Sequence, residues 1–186
     1  MRIIAGRYKG KKLVAGNDLT IRPITTKIKE SVFNTLGDFV SDKSVLDLFS
    51  GSGSFGLEAL SRGAAFITFV EQASSATRIL RNNLQTCQIA HDKFAIFTSD
   101  AKQFINTHSR SYELILMDPP FNFLLLQDII DNICINQILS KTGILVLHHE
   151  ISNPIVTDSM IYDLFKQKKF GRNTVSYILR KDRNVE

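Results

Sequence analysis

From residue 44 onward the apolar positions follow two alternating rhythms. Short apolar runs rich in Val, Ile, Leu and Phe lie at 45–49, 66–70, 94–97, 114–117 and 143–148. Runs of this length suit strands buried on both faces. Between them, 55–61, 73–84, 101–107 and 124–139 carry apolar residues at helical spacing. Two last runs, 160–169 and 174–181, meet at Gly171 and predict an antiparallel pair, because a short connection cannot join parallel strands. The pattern predicts an α/β protein: a seven-stranded, mostly parallel sheet with helices on both faces and a C-terminal antiparallel hairpin.

The first forty residues read differently. Two apolar pieces flank a basic, Gly-containing segment within 2–14, which predicts a small β-ribbon. Pro23 breaks the chain. Thr25 or Thr26 can then cap a helix in which Ile28, Val32, Leu36 and Phe39/Val40 share a face. The expected division is an N-terminal ribbon and helix, 1–40, packed on a core of 41–186.

Composition narrows the class. With 186 residues, 44% hydrophobic and 22% charged, the chain suits one ordinary globular domain and is not a disordered one. Cys87 and Cys134 form no CxxC pair, which excludes a Cys-based zinc site and a disulfide scaffold. No apolar run approaches the roughly 18–20 residues of a membrane span, and no signal-peptide pattern follows the charged start at Arg2. A cytoplasmic protein is the expectation.

Charge is unevenly placed. The net charge is +5, yet residues 1–30 hold eight basic and two acidic side chains. The rest of the chain is close to neutral. A basic stripe on a neutral body points to a polyanion met at one end, or to a solvated terminus.

The segment from Phe49 to Gly56 contains GxGxxG between a strand and a helix. Glycines there admit a ligand close to the backbone, and the helix start offers free N–H groups. Glu71 ends the next strand, where an acid can accept from ribose hydroxyls. This much fits a nicotinamide cofactor as well as S-adenosylmethionine, and a plain tight turn would also produce it. Asp47 lies inside the apolar strand, and a charge there needs a partner: the loop, or a cationic group. Asp100 follows the third strand, either to meet an adenine or to cap the next helix.

Asp118-Pro119-Pro120-Phe121 follows the fourth strand. The prolines stiffen the turn and leave carbonyls as acceptors. The Asp118 carboxylate and the Pro119 carbonyl can accept from a planar NH2 group, and Phe121 can stack on its ring. A strand-terminating turn with a core Phe is the plainer explanation. His148-His149-Glu150 does not make a metal site, because neighbours on a strand face opposite ways. Lys166, Lys168, Lys169 and Arg172 read as a solvated hairpin face.

The Asp-Pro-Pro-Phe tetrapeptide resembles the motif Asp/Asn/Ser-Pro-Pro-Tyr/Phe/Trp of amino-group methyltransferases. Together with 2–13, 22–34 and 47–64, it resembles the RsmD family over nearly the whole chain. That resemblance implies a Rossmann-like class I methyltransferase fold. It also implies methyl transfer from S-adenosylmethionine to the N2 amine of a guanine in 16S ribosomal RNA, without a metal. The implied catalytic residues are Asp118, Pro119 and Phe121. The implied cofactor set is Asp47, Phe49, Gly51, Gly53, Glu71, Asp100 and Asp118. Arg2, Arg7, Tyr8, Lys9, Lys11, Lys12 and Arg22 would hold RNA. The implied partner is 16S ribosomal RNA or the small ribosomal subunit, met by a cytoplasmic monomer away from any membrane. One departure stands out: Thr26 occupies a position where the family motif has an acid. Rival readings are an amino-group methyltransferase acting on adenine N6 in DNA or another RNA, an NAD-dependent oxidoreductase, and a non-catalytic RNA-binding protein.

Overall fold

The computed structural model describes residues 1–15, 25–120 and 123–181. Seven strands form one sheet: β1 (Ser44–Leu48), β2 (Phe66–Glu71), β3 (Phe94–Thr98), β4 (Tyr112–Met117), β5 (Leu139–Glu150), β6 (Tyr162–Phe170) and β7 (Asn173–Arg180). Their order is β3-β2-β1-β4-β5-β7-β6, parallel through β5 and antiparallel beyond it. The strand order reverses between β1 and β4, the place where open α/β sheets bind ligands. The expected sheet is therefore present.

Period-two alternation sorts the core into two layers. Val45, Leu114, Leu116 and Val146 face helices α1 (Thr26–Leu36), α2 (Ser54–Ser61) and α3 (Ser74–Cys87). Leu46, Leu48, Ile115, Met117, Leu145 and Leu147 face α4 (Ala101–Thr107) and α5 (Leu126–Ile135). Thr25 caps α1 by accepting from the Ile28 N–H. Among the described residues no helix is long and apolar enough to cross a membrane.

Three expectations need correction. The helix expected over 124–139 is shorter, because Gln137 turns the chain at φ 59° and Leu139 already pairs with Tyr112. Strand β5 accordingly runs for twelve residues, starting well before Gly143. The N-terminal ribbon has one antiparallel bridge, Arg2 with Lys12, not two regular strands. It is held in another way. Ile3 and Leu13 are buried in the core layer shared with α1, α2 and α3. The N–H groups of Ile4 and Ala5 donate to the buried Glu58 carboxylate at 2.8 and 3.1 Å. Tyr8 N–H donates to Ser61 Oγ and Arg7 N–H to the Ser61 carbonyl. Lys29, equally buried, reaches Glu58 at 3.5 Å and donates to Ser54 Oγ and the Arg2 carbonyl. Burial pushes its ammonium below the usual lysine range. The ribbon thus lies along α2 through backbone contacts, and Arg2, Arg7, Lys9, Lys11 and Lys12 remain exposed.

Candidate active site

Two loops meet at the carboxyl ends of β1 and β4. The first begins at Phe49, a non-glycine residue at φ 67°, and passes through Gly51 at 52° and Gly53 at 83°. A Cβ on Gly51 would point into open space, whereas one on Gly53 would overlap Leu80. A side chain at Gly56 would overlap Phe69 and press on Asp47 Oδ2 at 2.9 Å. The turn is therefore packed tightly beneath and bare above, a cradle for a ligand that approaches the backbone. Ser50 staples it to β2, its N–H donating to the Val70 carbonyl and its Oγ accepting from the Val70 N–H. Buried Asn83 donates to the carbonyls of Ser52 and Val14, tying the N-terminal segment to the same turn.

Asp47 sits below this cradle. Alternation turns it to the α2 face, where Oδ2 accepts from the Gly56 N–H at 2.8 Å. Its side chain is buried, and that burial, reinforced by the charges of Asp118 and Glu71, pushes its pKa up to about 8. Glu71 closes the rim: one carboxylate oxygen accepts from Gly51 N–H at 2.9 Å and the other from Ala73 N–H at 2.8 Å. Two lone-pair positions on that carboxylate are thereby used, out of about four.

The second loop begins at Asp118. Its side chain is 21% exposed, and Oδ1 accepts from His148 Nδ1 at 2.7 Å. Pro119 is buried, Pro120 is exposed, and Phe123 N–H donates back to the Pro120 carbonyl. Phe123 also sets its ring against Phe49, 5.0 Å between centroids, so an aromatic contact spans the two loops. Asn153 in the β5–β6 connection donates to the Phe123 carbonyl.

Asp47, Phe49, Gly51, Gly53, Glu71, Asp118 and Pro119 thus lie on the two adjoining loops and strand ends. Asp100 stands apart, two residues past the end of β3: exposed, it caps α4 by accepting from the N–H groups of Lys102 and Gln103. Tyr8 is half-buried against the core, with the Arg7 guanidinium 5.7 Å from its ring centre. Phe121 and Arg22 lie outside the described residues. Two site residues were missed by the sequence reading. Phe123 was hidden in the expected approach to a helix. His148 was weighed only as a metal ligand; its position at the end of an apolar strand was the available signal. His149 faces the other way, Nε2 at 2.8 Å from Ser176 Oγ, and its burial lowers its pKa.

The family model described as Conserved hypothetical protein 95 matches residues 1–179. The chain belongs to this family, the RsmD family. It is 33% identical to the ribosomal RNA small subunit methyltransferase D of Haemophilus influenzae, over 96% of this chain and 92% of that one. The solved structure of yhhF from Escherichia coli superposes with a TM-score of 0.87 at 30% identity, covering 97% of this chain and 98% of the other. SMU.776, solved complexed with SAH, has a TM-score of 0.67 at 17% identity and covers 82% of this chain and 48% of that one. It shares the class I methyltransferase fold. The family match spans both the basic ribbon and the two loops, from residue 1 into β7.

Proposed function

We propose that this RsmD family member is an S-adenosylmethionine-dependent ribosomal RNA methyltransferase that modifies the N2 amine of a guanine in the small-subunit RNA. The observation that carries the reading is the union of the bare Gly51 turn with Asp118-Pro119-Pro120 across the β1–β4 reversal point. S-adenosylmethionine would supply an electrophilic methyl group on a positively charged sulfur. Gly51 and Gly53 leave room for its methionine and ribose parts, and Glu71 has acceptor capacity left for ribose hydroxyls. The Glu71 and Asp118 carboxylates, whose charges both act on Asp47, give this pocket a negative potential that favours a cationic ligand. A nicotinamide cofactor would give Asp118-Pro119-Pro120 no task.

Asp118 and the Pro119 carbonyl accept from the two amine hydrogens and turn the nitrogen lone pair toward the methyl. So aimed, the lone pair would be free to take the methyl group that S-adenosylmethionine supplies, with the bonding electron pair left on the donor's sulfur. The nitrogen then holds one proton too many and releases it. Orientation and electrostatics therefore suffice, with no strong base. Phe121 would stack on a base taken out of its helix. The exposed Arg2, Arg7, Lys9, Lys11 and Lys12 would hold phosphates. In this reading Asp100 serves α4 as a cap as well as facing the adenine.

The test is transfer of labelled methyl from S-adenosylmethionine to unmodified 16S ribosomal RNA or small subunits, with the product nucleoside identified. N2-methylguanosine is expected. N6-methyladenosine would replace the substrate assignment, and no transfer together with NAD binding would overturn the reading.

A further inference from the structure

We propose that His148 is a positioning residue for methyl transfer: its Nδ1–H holds Oδ1 of Asp118 and so orients the carboxylate toward the acceptor amine. The inference rests on the reading of Asp118 given above, and adds a residue from a different strand to that site.

The sheet register brings the pair together. Leu116 pairs with Val146 and Met117 with Leu147, so the next residues, Asp118 and His148, leave the parallel β4–β5 pair side by side. Alternation turns both toward the α2 face, the same face as Asp47. His148 is only 2% exposed, wedged between β4 and Val175 of β7. An imidazole so confined is a fixed donor, while Asp118 remains open to the cleft.

The hydrogen bond also determines the chemistry of each partner. A carboxylate oxygen accepts, so the proton between the two belongs to Nδ1. The 2.7 Å separation is that of a short, charge-assisted bond. It commits Oδ1 to the protein and leaves Oδ2 for the substrate. The two prolines after Asp118 stiffen the turn, but without this bond the Asp118 side chain itself can rotate. A carboxylate that wanders no longer turns the amine lone pair toward the methyl, and a displacement of about 1 Å at such a centre can cost on the order of 10²-fold in rate.

The experiment compares His148→Leu, which lacks the donor, with His148→Asn, whose amide can donate from nearly the same place. Single-turnover methyl transfer to unmodified small-subunit RNA is measured for both, alone and combined with Asp118→Ala. S-adenosylhomocysteine affinity is measured alongside by calorimetry. The expected result is a kcat loss on the order of 10–10²-fold for His148→Leu. KM for RNA and the S-adenosylhomocysteine Kd stay unchanged, and His148→Asn recovers most of the rate. On the Asp118→Ala background His148→Leu should cost nothing more, because its effect runs through Asp118. A His148→Leu protein with the parent's kcat overturns the proposal. So does a His148→Asn protein as slow as His148→Leu, or a full additional loss on the Asp118→Ala background. If His148→Leu does not fold, His148→Gln replaces it, since its longer side chain carries the donor past Oδ1; the same outcomes then decide. A parent protein that transfers no methyl overturns the function proposed above, and this inference with it.

Discussion

Asp47 and Asp118 are the same residue type at the carboxyl ends of adjacent parallel strands, yet the fold uses them in opposite ways. Asp47 is buried inside β1 and bonds the backbone of Gly56, with its pKa pushed up to about 8. Asp118 stands one residue beyond β4, partly exposed, and bonds a side chain from the next strand. One carboxylate shapes the loop that would hold a cofactor; the other is presented to whatever enters the cleft. Position relative to the strand end decides the role: inside the sheet an acid must find a backbone donor, and just past it an acid can face a ligand.

If this contrast is right, substitutions at the two sites must fail differently. Asp118→Ala should remove catalysis while sparing the fold. Loss of one such preorganised contact costs on the order of 10²–10³ in rate. Single-turnover transfer by a variant whose urea midpoint matches the parent's checks this; near-parental turnover would break the comparison.

Disturbing the Asp47 side should instead strike stability. Gly56→Ala forces a Cβ against Phe69 and Asp47 Oδ2. Overpacking of this kind costs about 1–3 kcal/mol, measurable by urea unfolding, and should weaken S-adenosylhomocysteine binding as well. Unchanged stability would mean that the turn is not as tightly seated as the contacts indicate.

Asp47→Asn sharpens the comparison through pH. The folded state keeps a proton on Asp47 up to about pH 8, whereas the unfolded chain releases it near the ordinary carboxylate value. This group therefore contributes most favourably below about pH 4 and lowers stability as pH rises toward 8. Asparagine keeps an acceptor for Gly56 and cannot ionise. The variant should gain on the parent as pH rises through that window, by at most about 1.4 kcal/mol per pH unit. Parallel stability curves for the two proteins would refute the buried-acid description.

The smallest effect separates the two ligands. Charge reversal at Arg7, Lys9 and Lys11 should weaken RNA binding and flatten its log–log salt dependence by about two, at roughly 0.7 per lost phosphate contact. S-adenosylhomocysteine affinity should hold, because those side chains are exposed and the ribbon grips α2 through its backbone. An intact salt slope would make the ribbon purely structural.

Much of this was readable from the residues alone. The β1–α2 turn is a local matter: Gly51 and Gly53 permit positive φ, and a strand before and a helix after fix its direction. Asp47 was recognisable as a buried charge in need of a partner. Asp100 offered two explanations at once, and its contacts with Lys102 and Gln103 display the helix cap. Basic residues at the start of the chain were visible, but the acceptors on Glu58 and Ser61 that hold the ribbon lie 54 and 53 residues away in sequence from the groups they bind.

The sequence by itself determined the alternation of strands and helices, the two faces of each strand and the glycine turn, because these depend on residues within a few positions of one another. Only the tertiary structure decided that His148 stands beside Asp118. That pairing depends on β5 starting at Leu139 and on the irregularity between Tyr112 and Leu114, which together set the register thirty residues apart in sequence. A shift of one residue would have turned His148 to the other face and brought His149 forward. Register is fixed by how whole strands bury their apolar faces against two helical layers at once, and no short stretch of chain contains that information.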